Sequence, residues 1–111
     1  MKEININSLN SQELYRLLTS TVTPRPIALV SSIDNKGISN LSPFSFFNIF
    51  SITPPILVFS PVNRIQDNTK KDTLNNVTQN KECVIALVNK KIAQQVSLSS
   101  SNFDSNIDEF K

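Results

Sequence analysis

Two stretches of the sequence carry side chains whose types and spacing suit ligand chemistry. In Leu41-Ser42-Pro43-Phe44-Ser45-Phe46-Phe47-Asn48, aromatic residues are interleaved with small hydroxyl and amide groups. A planar, partly apolar ring system needs a flat wall and a few polar contacts along its edge, and Ser42, Ser45 and Asn48, spaced among Phe44, Phe46 and Phe47, offer both. The same pattern also describes a plain amphipathic strand with its phenylalanines in the core. Residues 60–73 gather Ser60, Arg64, Lys70, Lys71 and Thr73 in a short span. A phosphate group needs that combination of cations, hydroxyls and free backbone N–H groups. A guanidinium grips phosphate through paired hydrogen bonds, an ammonium adds a point charge, and a helix N-terminus presents its amides. Asp72 suits the cap of such a helix rather than a phosphate contact, since two anions repel. A solvated loop leading into a capped helix fits the same residues.

Other chemistries are excluded by what the chain lacks. There is no histidine among its 111 residues, so a Ser-His-Asp triad cannot form and a zinc site is disfavoured. Cys83 is the single cysteine, which rules out an intrachain disulfide. It sits in the apolar run Cys83-Val84-Ile85-Ala86-Leu87-Val88, where a small buried core residue is expected; a catalytic thiol would need the base that is missing. No catalytic side chain and no metal ligand is assigned. A net charge of +2 with a pI near 8.9 is too small for a general nucleic-acid surface but enough for one anionic small molecule. The first residues form no apolar leader, and no run approaches the roughly 18 apolar residues of a membrane span. The expectation is a cytoplasmic protein without nucleic-acid or membrane partners.

The elements that must position these residues follow from local rules. Asn10 with Glu13 three residues on forms a capping box, with Leu9 and Leu14 as a hydrophobic staple. Leu14, Leu17 and Leu18 then make one helical stripe that fades over residues 19–23 before Pro24. Residues 26–33 read as a central strand, apolar on both faces. Asp34-Asn35-Lys36-Gly37 holds the chain's one glycine and predicts a hairpin turn into a return strand over residues 38–41. Residues 42–50 contain four of the seven phenylalanines; Pro43 argues for an irregular or edge segment there. Residues 56–60 read as a strand and residues 61–71 as a loop. Asp72 is expected to cap a helix over residues 73–79 with Leu74 and Val77 inward. A strand over 83–88 and a helix over 90–98, with Ile92, Ala93 and Val96 inward, complete the order. One glycine cannot build a G-x-G-x-x-G loop, and a hairpin with one short crossover does not make a doubly wound sheet. The expected fold is therefore α+β, mainly β with short helices: a single domain over 1–111 built as a small antiparallel, Greek-key type barrel.

Four blocks then act together. Thr23-Pro24-Arg25-Pro26-Ile27-Ala28-Leu29-Val30-Ser31, Asn40-Leu41-Ser42-Pro43-Phe44-Ser45-Phe46-Phe47-Asn48, Pro54-Pro55-Ile56-Leu57-Val58 and Lys71-Asp72-Thr73-Leu74-Asn75-Asn76 resemble, in order, consecutive blocks of the flavin reductase-like, FMN-binding split-barrel family, in its flavoredoxin-like branch. The resemblance spans about residues 20–90, and Ile107-Asp108-Glu109-Phe110 in the tail is similar as well. It implies a split β-barrel that forms a homodimer with FMN near the subunit interface. Ser45, Phe46, Phe47 and Asn48 would then meet the isoalloxazine and the upper ribityl chain. Ser60, Arg64, Lys71 and Thr73 would meet the phosphate end, and Arg25 would approach the flavin or the partner subunit. Family members carry glycine where this chain has Gln66-Asp67-Asn68-Thr69, and they are longer. The resemblance thus implies the N-terminal portion of the family fold, with the barrel incomplete.

In that reading the flavin carries the chemistry and the protein positions it, which suits a chain without histidine. The leading expectation is an oxidoreductase passing electrons from NAD(P)H to flavin or another acceptor. A non-catalytic FMN-binding electron carrier is the alternative. An OB-like barrel stacking single-stranded bases on Phe44, Phe46 and Phe47 is a third, disfavoured by the modest charge.

Overall fold

The computed structural model describes residues 2–62 and 69–100. After a 3₁₀ turn at Ile6–Ser8, the order is α1 (Ser11–Thr21), β1 (Ala28–Ile33), β2 (Ser39–Phe44), β3 (Phe47–Ser51), β4 (Ile56–Phe59), α2 (Asp72–Asn80), β5 (Val84–Leu87), a second 3₁₀ turn at Lys90–Ile92, and α3 (Ala93–Ser99). Among the described residues every strand pairing is antiparallel. One sheet has the order β2-β1-β5, and β3 pairs with β4 in a separate hairpin. The two sheets do not close on each other among the described residues.

Helix α1 begins as its sequence requires. The Glu13 backbone N–H donates to Asn10 Oδ1 and the Asn10 N–H donates back to Glu13 Oε2, both at 2.9 Å. Strand β1 is central, with Ala28, Val30 and Ser32 buried on one face in the two-residue period of a strand. The turn after it is built by Asp34, whose carboxylate accepts from the Lys36 and Ile38 N–H groups at 2.8 Å. Gly37 takes φ +82°, a conformation that costs glycine little.

Strand β2 runs further than its sequence suggests. It continues through Pro43, which lies opposite Leu29, to Phe44 opposite Ala28. A proline is accommodated because β2 has no second partner strand among the described residues, so a missing N–H need not break a ladder. The phenylalanine-rich segment therefore splits into the end of β2 and the start of β3. The β3–β4 register shifts between Ile49 and Ser51, placing Phe50 in a bulge.

The core is small. Ala28, Val30 and Phe44 form its centre, with Phe47, Phe59, Cys83 and Ile85 packed around them. The Phe44 and Phe59 ring centroids lie 5.3 Å apart, within the range of favourable aromatic pairs. Helix α2 packs on β1 and β2, but not through the residues its apolar pattern suggests. Thr73 and Asn76 are the buried positions, while Leu74 and Val77 are half-buried. Asn76 Nδ2 donates to Ser32 Oγ at 3.1 Å, and Asn80 Nδ2 donates to the Ile33 carbonyl. Asp72 is the first helical residue and Lys71 the N-cap, without a side-chain cap bond. The carboxylate thus serves the positive end of the helix from its first turn rather than as the cap. In α3, Val96 and Ser99 are buried, Ile92 is half-buried and Ala93 is exposed.

Candidate functional site

The loop between α1 and β1 and the segment between β2 and β3 face each other across a cleft of about 480 Å³. One side is formed by Leu18 and Val22 from the end of α1, followed by Pro24, Arg25 and Pro26. The other is formed by Ser45, Phe46, Phe47, Asn48 and Phe50, with Val58 and Ser60 at the base of the β4 strand. A hydrogen bond from the Ser60 N–H to the Phe46 carbonyl, 2.9 Å long, ties the two aromatic-wall segments together.

Polar groups sit at defined points of this apolar surface. Asn48 Oδ1 accepts from the Ile49 N–H at 2.8 Å, which orients the side-chain amide. Asn48 and Ser60 both line the cleft and carry an amide NH₂ and a hydroxyl as donor groups. Arg25 is half-buried. Its Nη1 donates to the Thr19 carbonyl at 2.7 Å and to the Val22 carbonyl, and its Nε donates to Ser45 Oγ at 3.4 Å. The guanidinium carbon lies 5.7 Å from the centre of the Phe46 ring, and Tyr15 approaches the same ring at 6.2 Å between centroids. Arg25 therefore satisfies carbonyls that the end of α1 leaves unpaired, and fixes one wall of the cleft to the other.

Arg25, Ser45, Phe46, Phe47 and Asn48 meet in this one cleft; Ser60, which the resemblance implies at the phosphate end, lies here with them and apart from Lys71 and Thr73. Lys71 and Thr73 are elsewhere. The Thr73 side chain is 1% exposed and its hydroxyl donates to Asn40 Oδ1 at 2.7 Å, so it is directed into the protein. Lys71 Nζ lies over the Phe44 ring, 5.1 Å from its centre. Arg64 lies outside the described residues, as do Gln66, Asp67, Asn68 and the tail from 101 to 111. Sequence reasoning missed the contribution of α1. Leu18 reads in the sequence only as part of the helical apolar stripe, yet it is 52% exposed and lines the cleft.

Cys83 occupies neither cleft wall. It is half-buried beside the core, and burial raises its thiol pKa above the ordinary value, the opposite of what a nucleophile needs. Among the described residues no group of three or more histidine, cysteine or acidic side chains is arranged to hold a metal.

The family model for the flavin reductase like domain matches residues 19–111. The chain belongs to the flavin reductase-like family. An uncharacterized protein of Aquifex aeolicus is 38% identical over 109 residues, which are 98% of this chain and 55% of that protein. Among solved structures, nitrilotriacetate monooxygenase component B from Bacillus cereus superposes with a TM-score of 0.91 at 30% identity, covering 99% of this chain and 54% of that one. The 2-nitrobenzoate 2-nitroreductase NbaA of Pseudomonas fluorescens superposes with a TM-score of 0.79 at 33% identity, over 95% of this chain and 50% of that one. A split barrel domain protein from Shewanella frigidimarina gives a TM-score of 0.75 at 25% identity. The fold is thus the α+β fold of the split-barrel flavin reductases. The chain spans about half the length of the relatives it matches.

The residues of the cleft fit a flavin. Its volume is within the range of small-molecule sites, its lining is mostly apolar with two adjacent phenylalanines, and its polar members, Arg25, Ser45, Asn48 and Ser60, all carry hydrogen-bond donors. That is the complement of a flat ring system whose edge carries carbonyl and nitrogen acceptors.

Proposed function

We propose that this chain holds FMN in the cleft between α1 and the β3–β4 hairpin and serves an NAD(P)H-dependent oxidoreductase that passes electrons to flavin or another acceptor. The observation that carries this reading is the convergence of Arg25, Ser45, Phe46, Phe47, Asn48 and Ser60 on one apolar cleft in a member of the flavin reductase-like family. Two of its structural relatives are a monooxygenase component and a nitroreductase, which supports redox chemistry as the class.

FMN, when bound, supplies the hydride and electron transfer. The protein's own part is to bind, orient and exclude water. Phe46 and Phe47 offer the flat apolar surface; Asn48 and Ser60 donate to the ring edge; Arg25 holds Ser45 and Phe46 in place. Lys71, at the start of α2, and Arg64 are assigned to the phosphate. Thr73 acts there through the backbone it anchors, since its hydroxyl is committed to Asn40. The exposed apolar side chains of the hairpin, Ile49, Phe50 and Leu57 among them, support a homodimer as the working form.

A non-catalytic FMN carrier is the second reading. The same cleft supports it, since holding the ring needs only the apolar wall and its polar neighbours and no second site for a nicotinamide. Mixing the protein with FMN and then NADH or NADPH under anaerobic conditions separates the two. Bleaching of the flavin band faster than in free solution supports the oxidoreductase. Bound flavin that bleaches no faster supports the carrier, and a chain that binds no flavin contradicts both.

A further inference from the structure

Arg25 presents an electrostatic problem that its bracing role does not solve. Its guanidinium is half-buried in the wall of an apolar cleft. Its contacts are two carbonyls, one hydroxyl and one aromatic ring, and among the described residues no carboxylate pairs with it. A cation partly withdrawn from water without a counter-ion gains from any negative charge that comes beside it, and the negative end of α1 supplies only a partial one. Bracing alone could be done by a neutral donor. The carbonyls of Thr19 and Val22 instead fix a permanent positive charge beside the surface where a ring would lie.

We infer that Arg25 sets the electronic preference of the cleft: it favours an occupant that gains negative charge, and so stabilises the reduced form of a bound flavin over the oxidised form. This rests on the flavin reading above. The oxidised ring is neutral. On reduction it takes up two electrons and one proton and ends with one negative charge, which the guanidinium attracts. The effect depends on charge, whereas the brace depends on the planar fork of the guanidinium, and the two are separable because lysine keeps the first and loses the second.

The test uses riboflavin, which has no phosphate, so that only the ring is reported. The protein is loaded with riboflavin and reduced with dithionite against a reference dye, giving the potential of the bound ring. The unsubstituted protein is expected to hold riboflavin at a higher potential than in free solution. Arg25→Gln is expected to lose about tenfold of the preference for reduced over oxidised riboflavin, a drop of about 30 mV for a two-electron couple. Arg25→Lys is expected to stay near the unsubstituted protein while losing thermal stability. Equal potentials for the unsubstituted protein and Arg25→Gln overturn the inference, as does an equal drop in both variants. If Arg25→Gln does not fold, the unsubstituted protein decides alone: a bound potential at or below that of free riboflavin overturns it. Failure to bind riboflavin in either oxidation state would instead remove the flavin reading itself.

Discussion

The Thr73 hydroxyl donates a 2.7 Å hydrogen bond to Asn40 Oδ1, joining the first turn of α2 to strand β2 across 33 residues of sequence. With Asn76 on Ser32 and Asn80 on the Ile33 carbonyl, it makes the underside of α2 a polar seam rather than an apolar one. Such bonds have directions and partners, so they fix the helix in one register on the sheet, and Lys71 with it.

Thr73→Val removes the hydroxyl at nearly constant volume and takes this hydrogen bond from the half-buried Asn40 amide. The expected cost is about 1–3 kcal/mol of stability, read from the midpoint of urea unfolding. The ratio of FMN to riboflavin affinity is expected to stay unchanged in the folded variant. A selective loss of FMN affinity would mean that Thr73 meets the phosphate directly.

Two neighbouring phenylalanines are expected to behave differently. Phe44 is 4% exposed and sits in the core, so Phe44→Ala should cost about 3–5 kcal/mol, a large part of the stability of a domain this small. Phe46 lines the cleft, so Phe46→Ala should weaken riboflavin and FMN binding alike, by about 1–3 kcal/mol if ring stacking on it resembles base stacking on aromatic side chains. Calorimetric unfolding and flavin titration of both variants check the division.

Asn10→Ala breaks the capping box at the start of α1, far along the helix from the cleft. A loss of about 1 kcal/mol in stability is expected, with flavin affinity preserved. If affinity falls as well, α1 is coupled to the cleft more tightly than through its C-terminal end.

Cys83 gives a pH dependence. Burial raises its thiol pKa in the folded protein, so the folded state holds the proton more tightly than the unfolded chain. Its contribution to stability is therefore complete below the unfolded pKa and is lost as pH rises from there through the folded value, in the alkaline range. Unfolding midpoints measured across that range should decline more steeply for the natural protein than for Cys83→Ala. Alkylation of the folded protein at neutral pH should be slow compared with the unfolded chain.

The parts of the fold that were legible in the sequence are those set by near neighbours. The capping box of Asn10 and Glu13, the left-handed Gly37 and the central position of β1 each follow from residues a few places apart or from a local pattern. Part of the cleft lining was legible for a related reason: Ser45, Phe46, Phe47 and Asn48 are contiguous, whereas Arg25 and Ser60 come from distant segments that only the fold brings beside them. What local rules could not supply was the partner of each side chain. Thr73 looks like a surface hydroxyl at a helix start until Asn40 arrives beside it. Leu74 and Val77 look like the inner face of α2, but polar partners on β1 and β2 turn Thr73 and Asn76 inward. Pro43 reads as a break until its strand proves to lie at an edge. In each case a contact made by the tertiary fold overrode a local preference.

The central claim is that the cleft beside Arg25 and Phe46 binds the flavin ring. Titration of the purified protein with riboflavin and FMN, followed by flavin fluorescence and the visible absorption band, tests it most directly. The account predicts saturable binding of both, with a perturbed visible spectrum, tighter binding of FMN, and weaker binding of both in Phe46→Ala. An unchanged spectrum and no saturation with either flavin, in a protein shown to be folded, would contradict it.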